Sequence, residues 1–468
     1  MVLSTVLVVG YVVLLILVAA RARTAREYED FSIANRSLPL ALVFGSLCAT
    51  YVGPGFSIGF VGRGYNSGFL FLFIGVAYAV QNILVGLLIA PRLRELKGCY
   101  TLGDAIGQKY DSRCQLVAGI ISVLLCTLFA SVMISAGARV LENMLGLEKW
   151  VAVAVVAVVT TSYTTFGGLR ASVITDAYHF ALHAFLFAGI LLYVLLTQFK
   201  GGAASFAQEA IAATSSGFQS ATPLEIVTFV IAFLLGETLI PPYANLALAS
   251  KTTRVSRISF VLAGGFALVW FAVMIAIGVV ARPLVAADAS EDSILLKLVK
   301  ATVHHAGYTL MMVALLSVIL SSLDSLLNAG AVVFTQDILR RFTLRRDSAA
   351  LTAGRYSTIV IAAVGSGLAV FVPSVIKGLL VCYGIWAPAI LPALIIGLWS
   401  KKPRPLAAFL SMIVGTIVGA AVGIVFLASQ QGRVSKVETP AIVPALVCSL
   451  AAYLIGHHIQ RYVGRPQS

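Results

Sequence analysis

Apolar residues in this chain fall in long unbroken runs rather than in the alternation of strands or the stripes of soluble helices. Thirteen runs lie near residues 3–20, 40–61, 68–90, 114–138, 149–166, 174–197, 223–248, 257–281, 307–333, 353–373, 376–399, 405–428 and 439–458. Each is near the roughly 17–25 residues that a helix needs to cross a bilayer core. A backbone in lipid must satisfy its hydrogen bonds within itself, so the pattern predicts helices. The expectation is an all-α integral membrane protein with about thirteen transmembrane helices. Two spans are interrupted. The second carries Gly53-Pro54-Gly55 in its middle, and the seventh carries Gly236-Glu237 and then Pro241-Pro242. Proline lacks the N–H a helix uses, and glycine adds backbone freedom. The interrupted spans are five apart, so they run in opposite directions. Paired breaks of this kind predict two inverted halves with a binding site near the midplane. The plainer reading is that glycine and proline are simply commoner in membrane helices.

The ninth run has a different interruption, Leu320-Ser321-Ser322-Leu323-Asp324-Ser325. At 3.6 residues per turn, Ser321, Asp324 and Ser325 share one face, with Ser322 beside it. A carboxylate at membrane depth is costly and normally faces protein or water. Clustered hard oxygens suit a small hard cation, and the expectation is a sodium site. The competing reading is that the serines bond their own helix carbonyls or let helices pack closely.

Composition narrows the class. Hydrophobic residues make up 59% of the 468 and charged residues 11%, more apolar surface than a soluble chain can hide. The net charge of +14 does not point to nucleic acid, because the basic residues sit in short loops. They favour alternate loops: Arg21, Arg23 and Arg26; Arg92, Arg94 and Lys97; Lys251, Arg254 and Arg257; Arg340, Arg341, Arg345 and Arg346; Lys401, Lys402 and Arg404. Taken as cytoplasmic, these loops place the N-terminus outside and the C-terminus inside. The first run has no basic residues before it and reads as a retained helix, not a signal peptide. The six cysteines are scattered and predict no disulfide framework or zinc ribbon. The expected organisation is a first helix in 1–24, a transporter core in 25–400, and two further helices with a cytoplasmic end in 401–468. The expected setting is the inner cell membrane, with the chain acting as a monomer.

Three short motifs carry a family resemblance. Glu29-Asp30-Phe31-Ser32-Ile33-Ala34-Asn35-Arg36-Ser37-Leu38-Pro39 leads into the second span. Gly167-Gly168-Leu169-Arg170 is followed by Thr175-Asp176. Ser321-Ser322-Leu323-Asp324-Ser325 is followed by Phe334-Thr335-Gln336-Asp337-Ile338. In order and spacing these resemble the sodium:solute symporter family over roughly residues 25–400. The resemblance implies a five-plus-five inverted-repeat (LeuT-like) core in spans 2–11, with discontinuous helices at spans 2 and 7. It implies Na+ as coupling ion, held by the carbonyls of Ala49, Val52 and Val318 and the hydroxyls of Ser321 and Ser322. It also implies a second ion site at Asp176, Asp324 and Ser325, together with Ser321. Three departures bear on the solute. His179 stands where the family often has Gln, Asn245-Leu246 where it has Gln-Arg, and Gly236-Glu237 where it has a Trp-Gly type of opening.

Candidate solute-binding residues come from the broken spans and the span neighbouring the first of them: Thr50, Tyr51, Gly53, Phe56, Tyr78, Gln81, Glu237 and Tyr243. Glu237 reads either as a counter-ion or titrating group, or as a water-exposed residue of an outer vestibule. Asp176, His179 and His183 share a face of the sixth span, which reads as a metal site or proton relay, or as ordinary packing. His457-His458 reads as an interfacial pair, and Asp288, Glu291 and Asp292 as a solvated acidic cluster. The leading function is sodium-coupled symport of a small organic solute by alternating access. Proton-coupled symport through Glu237, Asp176 or His179 is the alternative, and an enzyme built on the histidine face is not expected. Partners are a small-molecule solute, sodium and the bilayer, not nucleic acid.

Overall fold

The computed structural model describes residues 2–21, 25–198, 202–220, 222–286, 288–342, 346–372, 374–430 and 442–463. Among them every regular element is helical. In chain order these are α1 (Val2–Arg21), α2 (Leu40–Tyr51), α3 (Phe60–Ser67), α4 (Leu72–Leu84), α5 (Leu102–Lys109), α6 (Ser112–Leu145), α7 (Lys149–Thr197), α8 (Gly202–Ser220), α9 (Pro223–Leu235), α10 (Pro241–Ala249), α11 (Thr253–Ala281), α12 (Ile294–Thr302), α13 (His305–Val333), α14 (Asp347–Ala369), α15 (Val375–Trp399), α16 (Pro405–Gln430) and α17 (Ile442–Val463). A short helix, Tyr28–Ile33, precedes α2. Nine helices among the described residues are long and apolar enough to cross a membrane. The stretch Lys149–Thr197 covers two of the runs read from the sequence and consists of two helices joined across a kink. Its single departure is Gly168, whose positive φ of 59° is cheap only for glycine. There a Cβ would meet the Phe31 backbone at 2.7 Å.

Both expected breaks are present. α2 ends at Tyr51, and the chain resumes through a π turn, Gly55–Gly59, into α3. α9 ends at Leu235, a turn follows with Leu239 at φ 48°, and α10 begins on Pro241. Proline at the first two positions of α10 suits a helix start, where N–H groups lack partners anyway. Leu38, just before α2, donates to Ala249 O at 3.1 Å, at the end of α10, and accepts from Lys251 N at 2.9 Å, just after it. The start of one broken span therefore lies beside the end of the other. Their breaks also meet, because the Tyr51 and Tyr243 rings stand 4.6 Å apart. The two spans are thus opposed in direction, as inverted halves require.

α13 is the central helix: 94% of its most apolar stretch is buried, against 33% for α16 and α17. A helix apolar on every side and enclosed by others belongs to a bundle interior. It packs against α6 and α7, with α1 resting on α7 and α13. The stretch between 197 and 223, expected as a loop, holds α8. Its alanine-rich sequence favours a helix but is too polar to read as a span.

Close packing in lipid depends on small residues at crossings. α3 and α11 meet so closely that a Cβ on Gly278 would stand 2.2 Å from Val61 O, and one on Gly64 would stand 2.4 Å from Ile275 O. Both obstacles are backbone and cannot rotate away. Gly278→Ala is therefore expected to destabilise by about 1–3 kcal/mol, read as a lower unfolding temperature of the purified protein. Gly367→Ala, with nothing within 4 Å, should leave that temperature close to wild type.

Candidate ion and solute sites

The break in α2 exposes backbone carbonyls in mid-span, and the buried serines of α13 face them. Ser321 Oγ donates to Ala49 O at 3.2 Å and to Val318 O at 3.1 Å. Ser322 Oγ donates to Thr50 O at 3.5 Å and to Val318 O at 3.3 Å. Gly53 brings the break close, since a Cβ there would sit 3.3 Å from Ser322 Oγ. Val52 O stands at the break and accepts from Ser57 of its own span at 2.7 Å. The serines do bond their own helix, as the plainer reading expected, but the same hydroxyls also reach across to α2. The result is a set of neutral, hard oxygens from two elements. Such a set can bind a monovalent cation weakly enough to release it.

One turn along α13 lie two fully buried carboxylates, Asp324 and Asp176 of α7. Asp324 accepts from Ser172 at 2.9 Å and from Thr175 at 3.3 Å. Asp176 Oδ2 accepts from Ser46 and, at 3.5 Å, from Ser325. Ser172 and Ser325 hydroxyls are 3.3 Å apart, which links the two carboxylates through hydroxyl groups. Asp176 Oδ1 is buried without a hydrogen-bond partner. The ion pairs among the described residues involve neither carboxylate. Buried charge needs a partner, so the arrangement asks for a cation or a proton.

The histidines of the same face are not gathered into a metal centre. His179 Nδ1 is 2.6 Å from the Tyr11 hydroxyl of α1, while His183 packs edge-on against Trp270. No group of three or more His, Cys, Asp or Glu that could hold a metal ion occurs among the described residues. Packing is the role these contacts support.

The candidate solute residues form one cluster at the breaks. A narrow cavity of about 20 Å³ is lined by Thr50, Gly53, Phe56, Glu237, Tyr243 and Ser322. Tyr51 and Tyr78 stand just behind, their rings edge-on at 5.6 Å, and Gln81 Nε2 donates to Thr238 Oγ1 at 2.7 Å. Glu237 is only 4% exposed, so the vestibule reading of it is corrected. The break folds its carboxylate inward among tyrosines. An open vestibule of about 780 Å³ lies elsewhere, lined by Arg139, Lys297, Lys300 and Lys377 among others. Glu291, expected to be merely solvated, borders that vestibule, pairs with Arg63 at 3.7 Å and accepts from Asn66 at 3.0 Å.

Sequence reading missed Ser46 and Ser172, which hold the two carboxylates, and Tyr383 and Trp386 of α15, which bond Glu237 and Thr238. The first two were discoverable: each stands one turn before a residue already singled out, and Ser46 is a polar residue in an apolar run. Tyr383 and Trp386 carry no such signal, because aromatic residues in a span usually pack.

The fold and motifs agree with known proteins. A solved Na+-coupled sialic acid symporter superposes with a TM-score of 0.82 at 18% identity, covering 99% of this chain and 98% of that one. An osmoregulated proline transporter of Bacillus subtilis is 24% identical over 92% of this chain and 89% of its own length. A Drosophila melanogaster protein named for sodium-dependent multivitamin transport is 28% identical, over 40% of this chain and 30% of its own length. The sodium:solute symporter family model matches residues 31–415. With its two opposed broken spans and its serine pair facing the first break, this chain belongs to the sodium:solute symporter family and is a sodium-coupled solute transporter, not an enzyme.

Proposed function

We propose that sodium binds between α2 and α13, coordinated by the carbonyls of Ala49, Val52 and Val318 and the hydroxyls of Ser321 and Ser322. The single observation that carries this reading is the pair of serines reaching from α13 to carbonyls at the break of α2. Sodium would replace those hydroxyl-to-carbonyl bonds with ligand bonds and tie the broken helix to the central one. A cation shifts a conformational equilibrium only by binding one state better than another. Its ligands here belong to two elements, so movement of α2 relative to α13 makes or breaks the site. Asp176, Asp324 and Ser325 form a second cation centre one turn further along α13.

The solute occupies the space between the breaks, beside Thr50, Gly53, Phe56, Glu237 and Tyr243, with Tyr51, Tyr78 and Gln81 behind. Its neighbourhood to Ser322 couples it to the sodium site, since one side chain borders both. The full-length alignment to a proline transporter supports a small, amino-acid-like solute. The basic loops support a cell-membrane protein with its N-terminus outside and its C-terminus in the cytoplasm. One chain contains both halves of the site, which supports a monomer as the working unit.

Uptake of labelled L-proline into proteoliposomes, driven by a sodium gradient, tests the coupling. Accumulation with inward sodium, and none with potassium, is the expected result. Uptake indifferent to sodium and abolished by collapsing a proton gradient would move the coupling to Glu237, Asp176 or His179.

A further inference from the structure

Glu237 is the one feature of the central cavity that sodium binding leaves unused. Three tyrosine hydroxyls from three helices donate to its carboxylate: Tyr78 at 2.5 Å and Tyr243 at 3.0 Å to Oε2, and Tyr383 at 2.6 Å to Oε1. None of the ion pairs among the described residues involves it. Neutral hydroxyls orient a carboxylate without cancelling its charge, and at membrane depth that charge is expensive to leave alone. The surrounding walls are aromatic. Tyr51 stands edge-on to Tyr78 and Tyr243 at 5.6 and 4.6 Å, and Phe56 lies 4.8 Å from Tyr78. Two buried polar atoms nearby, Tyr51 Oη and Gln81 Oε1, have no hydrogen-bond partner.

A fixed carboxylate set among electron-rich rings attracts a cationic group and repels an anionic one. Hydrogen bonding to an uncharged sugar would not require the charge. We propose that Glu237 determines specificity, and that the solute carries an ammonium group, free or alkylated, seated against this carboxylate. This rests on the reading of the central cavity as the solute site. The basic vestibule of Arg139, Lys297, Lys300 and Lys377 suits a solute that bears a carboxylate as well. Inside, the ammonium group is what Glu237 recognises.

The test uses the full chain, purified in saturating sodium, with thermal unfolding followed as solutes are titrated at constant ionic strength. The probes are tetramethylammonium, glycine betaine, L-proline, acetate and D-glucose. At least one ammonium compound should raise the unfolding temperature saturably, while acetate and glucose do not. Glu237→Gln should raise the half-saturating concentration tenfold or more, and Glu237→Asp, which keeps the charge, should lose less. A monodisperse size-exclusion profile establishes that each variant is folded. No shift with any ammonium compound, a shift with acetate or glucose instead, or an ammonium shift undiminished in Glu237→Gln overturns the proposal. Sodium alone, titrated on the wild type against potassium, separates the two readings. A sodium effect without an ammonium effect sinks only the solute class, whereas no sodium effect sinks the ion site beneath it.

Discussion

Replacing Ser321 and Ser322 together by alanine should remove the sodium dependence of uptake and leave a folded protein. Each hydroxyl donates to a carbonyl of α2 and to Val318 O of its own helix. Without sodium, losing one such bond is a small matter, because Val318 O can keep its place in the α13 ladder. In the proposed sodium site each serine is a ligand to a charge. Interactions with charged groups are worth about 1.5–3 kcal/mol, so each single alanine should raise half-saturating sodium by roughly 10–100-fold. The two losses will not simply add, because both serines share Val318 O. Sodium-activation curves of uptake for the two singles and the double measure this. A double variant with wild-type sodium dependence would remove the site from this pair.

Neutralising the carboxylate pair should change how many cations accompany the solute. Asp176 and Asp324 are fully buried and connected through Ser172 and Ser325. A charged side chain at the centre of a membrane helix costs about 2.5–3.5 kcal/mol on insertion scales. Hydroxyl donors alone offset only part of that for two carboxylates. A cation between them offsets much more. Asp176→Asn leaves the Ser46 and Ser325 contacts sterically possible but takes away one charge. Wild-type uptake should rise sigmoidally with sodium, and Asp176→Asn or Asp324→Asn should make the curve hyperbolic with at least a tenfold weaker apparent affinity. Charge moved per solute, measured as current on a solid-supported membrane, should fall with it. Unchanged curves in both variants would make the pair a structural element kept neutral by protons.

Much of this was legible in the sequence, for specific reasons. A lipid-facing helix must be apolar, so residues such as Ser321 and Asp324 stand out wherever they occur. The breaks were legible because Gly53-Pro54-Gly55 and Pro241-Pro242 disfavour a continuous helix. The limits are equally physical. Gly168 divides the stretch Lys149–Thr197 into two helices, as the two apolar runs implied, but the φ of 59° that makes the kink leaves no trace in the hydropathy pattern. α8 hid because hydropathy separates membrane from water, not helix from loop. Glu237 could be flagged but not placed. Its inward direction depends on Tyr78, Tyr243 and Tyr383, the last of them 146 residues away. Tertiary partners of that kind have no local signature.

The sodium site is tested by thermal unfolding of the purified wild-type protein as sodium replaces potassium at constant ionic strength. A ligand that binds only the native state stabilises it by about 2.7 kcal/mol at a hundred times its Kd. The expected result is a saturable rise in unfolding temperature with sodium, absent with potassium and lost in Ser322→Ala. Equal curves in sodium and potassium, or a sodium shift that survives in Ser322→Ala, would contradict it.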